Sequence, residues 1–126
     1  MPGHLTAAPG GMSLRLGPDL ITPRLVRADR MWSRMRGLLG RRSLDADEGL
    51  WITPCNSIHM MFMRFSIDVI FIDANLQVVR VHSAVAPWRF ARGGKHAKSV
   101  LELPAGKAAF FNIRVGDRLS VDGFES

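Results

Sequence analysis

A single cysteine, Cys55, stands in 126 residues, which excludes an internal disulfide and leaves stability to packing. It also argues against a structural zinc site, because Cys55 and His59 are far in sequence from His4, His82 and His96. Long apolar runs are missing too. The longest, residues 60–72, is interrupted by Arg64 and Asp68 and falls short of the roughly 18 residues a membrane helix needs. Residues 1–11 have neither the basic start nor the apolar stretch of a secretory signal and read as a mobile leader to one domain over 12–126. A cytoplasmic location is the matching expectation. Several motifs are lacking as well. Gly37-Leu38-Leu39-Gly40 has neither the lysine nor the spacing of a phosphate loop, and no serine sits in a nucleophile elbow. No exposed cluster of aromatic and basic residues is legible, since the aromatics fall mostly inside apolar periods. Nothing implies a cofactor.

What is present is an ordinary folding composition, 47% apolar and 22% charged, carrying a locally concentrated positive charge. The net charge is +6. Arg24, Arg27, Arg30, Arg34, Arg36, Arg41 and Arg42 face Asp29 alone in one segment, and Arg89, Arg92, Lys95 and Lys98 share a second with no acid. Each is either a solvated face or a surface for nucleic acid, a membrane or an acidic partner.

The chain is organised around residues 54–73, where His59, Arg64 and Asp68 are embedded in the greasiest stretch. Burying any of them unpaired is costly, so each must find a partner or open onto a site. In an extended chain the odd residues from Met61 to Phe71 make an apolar face, and Arg64, Ser66 and Asp68 share the other. Arg64 and Asp68 then lie roughly 13 Å apart, so direct pairing requires a bend or bulge near Ser66. This leaves three readings. Arg64 and Asp68 form a buried structural salt bridge, or Arg64 stays free to fork onto a carboxylate or phosphate, with Trp51, His59 and Trp88 as walls. The third is a nucleophile–base–orienter set of Cys55, His59 and Asp68.

Taken in order, short strands are expected over 12–16, 20–27, 50–52, 58–62, 67–73, 99–103 and 118–121. A strand over 76–82 closes a hairpin with the one before it. Pro23 restricts its strand to an edge or a start. Asp29 caps a helix over 30–39, residues 83–88 continue extended, 89–98 form a basic loop, and 105–113 supply one or two helical turns. Only one connection is long enough for a parallel crossover, so pairing should be antiparallel. The expected fold is mainly β (α+β): a small, partly open antiparallel barrel or two curved sheets with one or two short helices.

Several blocks occur in one order: Met35 to Arg41, Gly49 to Ile52, Ile58 to Asp73, Val100 to Gly106, and Val115-Gly116-Asp117. In these the chain resembles a bacterial and archaeal family known as domain of unknown function one-hundred-and-ninety-two, over about residues 20–121. The resemblance implies a compact, mainly β fold and no established activity, cofactor or catalytic residue. Where that family commonly carries proline, this chain has Ser66. The expectation is a non-enzymatic binding or accessory module for a small anionic ligand or an acidic protein, with Trp51, Cys55, His59, Arg64, Asp68 and Trp88 as the candidate contacts. The alternatives are a small hydrolase or thiol enzyme using Cys55, His59 and Asp68, and nucleic-acid binding through residues 24–42.

Overall fold

Residues 11–28, 44–60 and 64–123 are described from a computed structural model. The helix expected over 30–39 lies outside them, as do Met61, Phe62 and Met63. The described chain forms β1 (Met12–Leu16), β2 (Asp19–Ala28), β3 (Glu48–Ile52), β4 (Ser57–His59), β5 (Ile67–Ile72), β6 (Val78–Val85), β7 (Phe90–Arg92), β8 (Ser99–Pro104), α1 (Lys107–Phe110) and β9 (Ser120–Asp122). Seven strands make one sheet in the order β6-β5-β8-β3-β2-β1-β9, while β4 and β7 form a separate antiparallel ribbon. The mainly β fold is as the sequence indicates.

All pairings are antiparallel except β2 with β3, and residues 29–47 between them are the one connection long enough for a crossover. Pro23 does not mark an edge. β2 lies between β1 and β3, and Pro23 falls at a register shift in the β1–β2 ladder, where the missing N–H breaks no regular bond.

Side chains from β1, β2, β3, β5, β6, β8 and α1 meet in one apolar cluster that includes Leu14, Ile21, Trp51, Ile70, Leu101 and Ala108. A sheet whose strands share one cluster must curl around it. The curl is nearly closed by the segment leading into β9, since Val78 N–H donates to Asp117 O at 2.7 Å and Leu119 N–H to Leu76 O at 2.9 Å. A second cluster lies on the outer face, where the ribbon residues Ile58, Met60 and Ala91 cover Ile67, Val69, Phe71 and Val100. β5 therefore has apolar neighbours on both faces, and all six of its residues are buried. Its odd residues face the ribbon and its even residues face the interior, the parity expected from the sequence.

Asp68 is the exception within β5, wholly buried among the interior residues. Its Oδ1 accepts the Ala84 N–H at 2.8 Å, and its Oδ2 accepts Gly106 N–H at 3.1 Å and Ala108 N–H at 2.8 Å. The first donor comes from a register shift in β6 opposite Asp68, where Ala84 turns to a φ of 50°. The other two are first-turn donors of α1, which no helical carbonyl can reach. Gly106, the residue before α1, has a φ of 97°, a conformation open to glycine at little cost. One carboxylate thus ties β5 to the end of β6 and to the start of α1. Asp68→Asn places an amide donor among these backbone donors and is expected to cost about 2–4 kcal/mol of unfolding free energy in urea titration. A loss below about 0.5 kcal/mol would show that the three bonds contribute little.

Candidate functional site

Arg64 and Asp68 are not brought together. Asp68 is occupied by backbone donors inside the sheet, whereas Arg64 is exposed and forms no ion pair with it. The buried salt bridge allowed by the sequence is absent because the bulge occurs in β6, opposite Asp68, and delivers Ala84 N–H to it in place of a guanidinium. Trp51 belongs to the interior cluster, where its Nε1–H donates to Ser99 Oγ at 3.0 Å and the Arg27 guanidinium stacks 5.4 Å from its ring. It walls no outer cleft with Cys55. His59 pairs by backbone with Phe90 across the ribbon, and its side chain lies outside the described residues.

Cys55 packs against the outer cluster, and its Sγ–H donates to Ser57 O at 3.0 Å. Asp68 faces the opposite side of the sheet, with both oxygens engaged, so it cannot orient a base for this thiol. The described residues contain no group of three or more His, Cys, Asp and Glu suited to a metal ion.

The expected loop over 89–98 is in part a strand. β7 alternates Phe90 out, Ala91 in and Arg92 out, because Ala91 covers the outer cluster and its neighbours must then face solvent. The ribbon is extended by Met60 N–H to Arg89 O at 2.8 Å and Trp88 N–H to Met60 O at 2.7 Å. Arg89 N–H also donates back to Ala86 O at 3.1 Å, which makes 86–89 a tight turn with Pro87 second and Trp88 third. The third position takes a φ of 68°, unusual for a bulky residue, and the turn leaves Trp88 63% exposed. Exposed aromatics beside cations are therefore present after all, hidden in the sequence by the assumption that 89–98 is irregular.

The loop after β7 is fixed to the core. Gly93 N–H donates to Asn56 O at 2.9 Å, and a Cβ at Gly93 would meet Phe71 and Ala97 at 2.5 Å. Beyond it, Lys95 borders three shallow clefts. One of about 510 Å³ is lined by Asn56, Ser57, Phe90, Arg92, Gly94 and Lys95. A second of about 340 Å³ lies beside Cys55 and Lys98, and a third of about 600 Å³ reaches Asp73, His96 and Lys98. Arg92 stacks over Phe90 at 5.2 Å, and the Arg80 guanidinium reaches Arg92 O at 3.3 Å.

Across this geometry the comparisons with known proteins are consistent. The DUF192 family, described as uncharacterised ACR, matches residues 18–121. The chain belongs to the DUF192 family. A UPF0127 protein of Thermococcus sibiricus is 38% identical over 105 residues, which cover 78% of this DUF192 chain and 66% of the relative. Another, from Pyrococcus furiosus, is 43% identical over 63 residues, covering 50% and 53%. The chain thus spans between about half and two-thirds of the length of these curated relatives. Among solved structures, a protein of unknown function from Novosphingobium aromaticivorans superposes with a TM-score of 0.70 at 20% identity, covering 86% of this chain and 82% of that one. A Sinorhizobium meliloti protein named as a candidate transcription regulator gives 0.72 at 23%, covering 94% and 98%. At such identities these establish the DUF192 fold alone.

Among the charged segments, residues 24–42 offer less than their arginine count suggests. Arg24 donates to both oxygens of Asp47 at 2.8 Å and to Asp45 at 3.3 Å. These bonds hold the Asp47 carboxyl below the usual carboxylate range and raise the Arg24 guanidinium. Arg27 is stacked on Trp51, and residues 30–42 lie outside the described part. No helix among the described residues is long and apolar enough to cross a membrane. For the thiol, the Ser57 contact predicts alkylation at neutral pH at least about ten-fold slower than that of glutathione, and a Cys55→Ala protein within about 1.5 kcal/mol of wild type. Rapid labelling would restore Cys55 as a nucleophile.

Proposed function

We propose that this DUF192 domain is a non-enzymatic binding module for anionic ligands, and that it contacts them through the outer face of the β4–β7 ribbon and the loop after it. The observation that supports this reading is the set of exposed cations there. Arg89, Arg92, Lys95 and Lys98 are all exposed, and none forms an ion pair with a carboxylate of the described residues. Several acids elsewhere are engaged. Asp45, Asp47 and Glu48 surround Arg24, and Asp122 holds Arg15 at 2.9 Å. Asp73, at the edge of the largest of the three clefts, accepts the N–H groups of Asn75 and Gln77.

An uncompensated cluster raises the local positive potential and draws in anions. Arg92 supplies a planar fork and Lys95 and Lys98 compact charges, with the Asn56 amide and the Ser57 hydroxyl between them to fix orientation. The cleft of about 510 Å³ is of ligand size, and the loop that carries the cations is held against the core at Gly93. Arg64, exposed and without an ion pair to Asp68, is a further cation of the same kind.

Inorganic polyphosphate tests the reading. Wild type is expected to bind it with a steep salt dependence, and the Arg92→Gln/Lys95→Gln/Lys98→Gln protein to bind more weakly, with a salt slope smaller by about one unit per cation removed. Unchanged affinity and slope in that variant would move the contact surface elsewhere.

A further inference from the structure

We infer that the anionic ligand is a single-stranded nucleic acid, its bases stacked on Trp88 and Phe90 and its phosphates on Arg92 and Lys95. This rests on the anion-binding reading and adds base contacts to it. A ligand recognised by charge alone uses only the cations, whereas one with bases also uses the exposed ring surface beside them. Trp88 is 63% exposed and Phe90 45% exposed, and both lie within four residues of Arg89 and Arg92 on the same ribbon. Both rings are placed by backbone constraints. β7 alternation sends Phe90 outward with Arg92, and the latched 86–89 turn presents Trp88 from a left-handed backbone.

The chemistry of the cleft fits a nucleotide unit. Its lining combines an aromatic wall (Phe90), two cations (Arg92 and Lys95), an amide (Asn56) and a hydroxyl (Ser57), with no carboxylate among them. Base–aromatic stacking is tolerant of sequence because every base has a π-face, and a basic groove follows the backbone. Trp88 and Phe90 are two residues apart, hence at most about 7 Å from Cα to Cα, roughly twice the 3.4 Å rise per nucleotide of a stacked strand. Receiving both rings therefore means parting neighbouring bases. An unpaired strand can do this, whereas a duplex hides its base faces within the stack. An anionic membrane would also accept cations and aromatics, but Phe90 borders a polar, concave cleft and both rings project from a turn and a strand, not from an apolar helix face.

The probes are a short labelled oligothymidylate, its duplex with oligoadenylate, inorganic polyphosphate, and vesicles containing an anionic lipid. Trp88→Gly removes the ring while suiting the left-handed backbone, so folding is kept, as a thermal melt would verify. The expected result is a loss of about ten-fold in oligothymidylate affinity for Trp88→Gly and for Phe90→Ala, largely restored in Trp88→Phe. Polyphosphate affinity should be equal in all of them, and the duplex and vesicles should bind more weakly than the single strand. Ring variants that bind the oligomer like wild type would overturn the inference, as would a duplex that binds as tightly as the single strand, or a preference for vesicles. If polyphosphate still binds in those cases, the anion-binding reading survives; if neither polyanion binds wild type, both readings fall.

Discussion

A carboxylate buried without a cation is the constraint on which the rest of the fold depends. Asp68 lies wholly inside the curled sheet, and three backbone N–H groups from two separate segments converge on it. Leaving any of these groups unbonded in an apolar interior is costly, so the segments that supply them are not free to move independently. The end of β6 must bulge to present Ala84, and the chain after β8 must turn sharply at Gly106 to present the first turn of α1. α1 is only four residues long and too short to form alone in water, so it owes its place to this contact and to the burial of Ala108.

The same bulge sets the path of the chain beyond β6. After the bulge Val85 pairs again with Ile67 of β5, and the chain then passes through the 86–89 turn into β7 over the outer cluster. There the ribbon has one structural task, to cover Ile67, Val69, Phe71 and Val100, and it performs this with Ile58, Met60 and Ala91. Alternation then forces the intervening residues outward. Phe90 and Arg92 are exposed as the geometric complement of Ala91, and Gly93 is small because Phe71 lies immediately beneath it. The basic and aromatic character of the outer face is therefore mounted on a rigid element, which is how binding surfaces gain affinity at low ordering cost.

Much of this was legible from residue pattern. The two faces of β5, the β5–β6 hairpin and the strand at β8 reflect period and length, whereas the parallel β2–β3 pair departs from the antiparallel pairing expected and uses the one connection long enough to allow it. The burial of Asp68 was legible too, but its partners were not. Side chains are the partners a sequence suggests, and Arg64 was the nearest cation, whereas backbone donors leave no mark in the residue alphabet. Glu102 shows the same limit. It is wholly buried in the middle of β8, on the face toward the ribbon, and its setting among Val100, Leu101 and Leu103 carried the same signal that drew attention to Arg64 and Asp68. β7 escaped notice because three residues between turns are too few to display a period, and Gly93-Gly94 suggested a loop.

Where the sequence places polar residues in apolar surroundings, it marks the architecture of this chain more than its chemistry. Asp68 is embedded in apolar sequence and serves the fold, while the cations of the proposed contact face come from a polar, basic segment outside the apolar runs. The division is physically reasonable. A group meant to meet a ligand from solvent must keep its charge hydrated until that ligand arrives, so it belongs on an exposed ribbon. A group that replaces missing backbone partners must be shielded from competing water, so it belongs inside the sheet. Burial and exposure of charge thus separate the two roles along the same stretch of chain, and β5, with Asp68 on its inner face and the ribbon over its outer one, is where they meet.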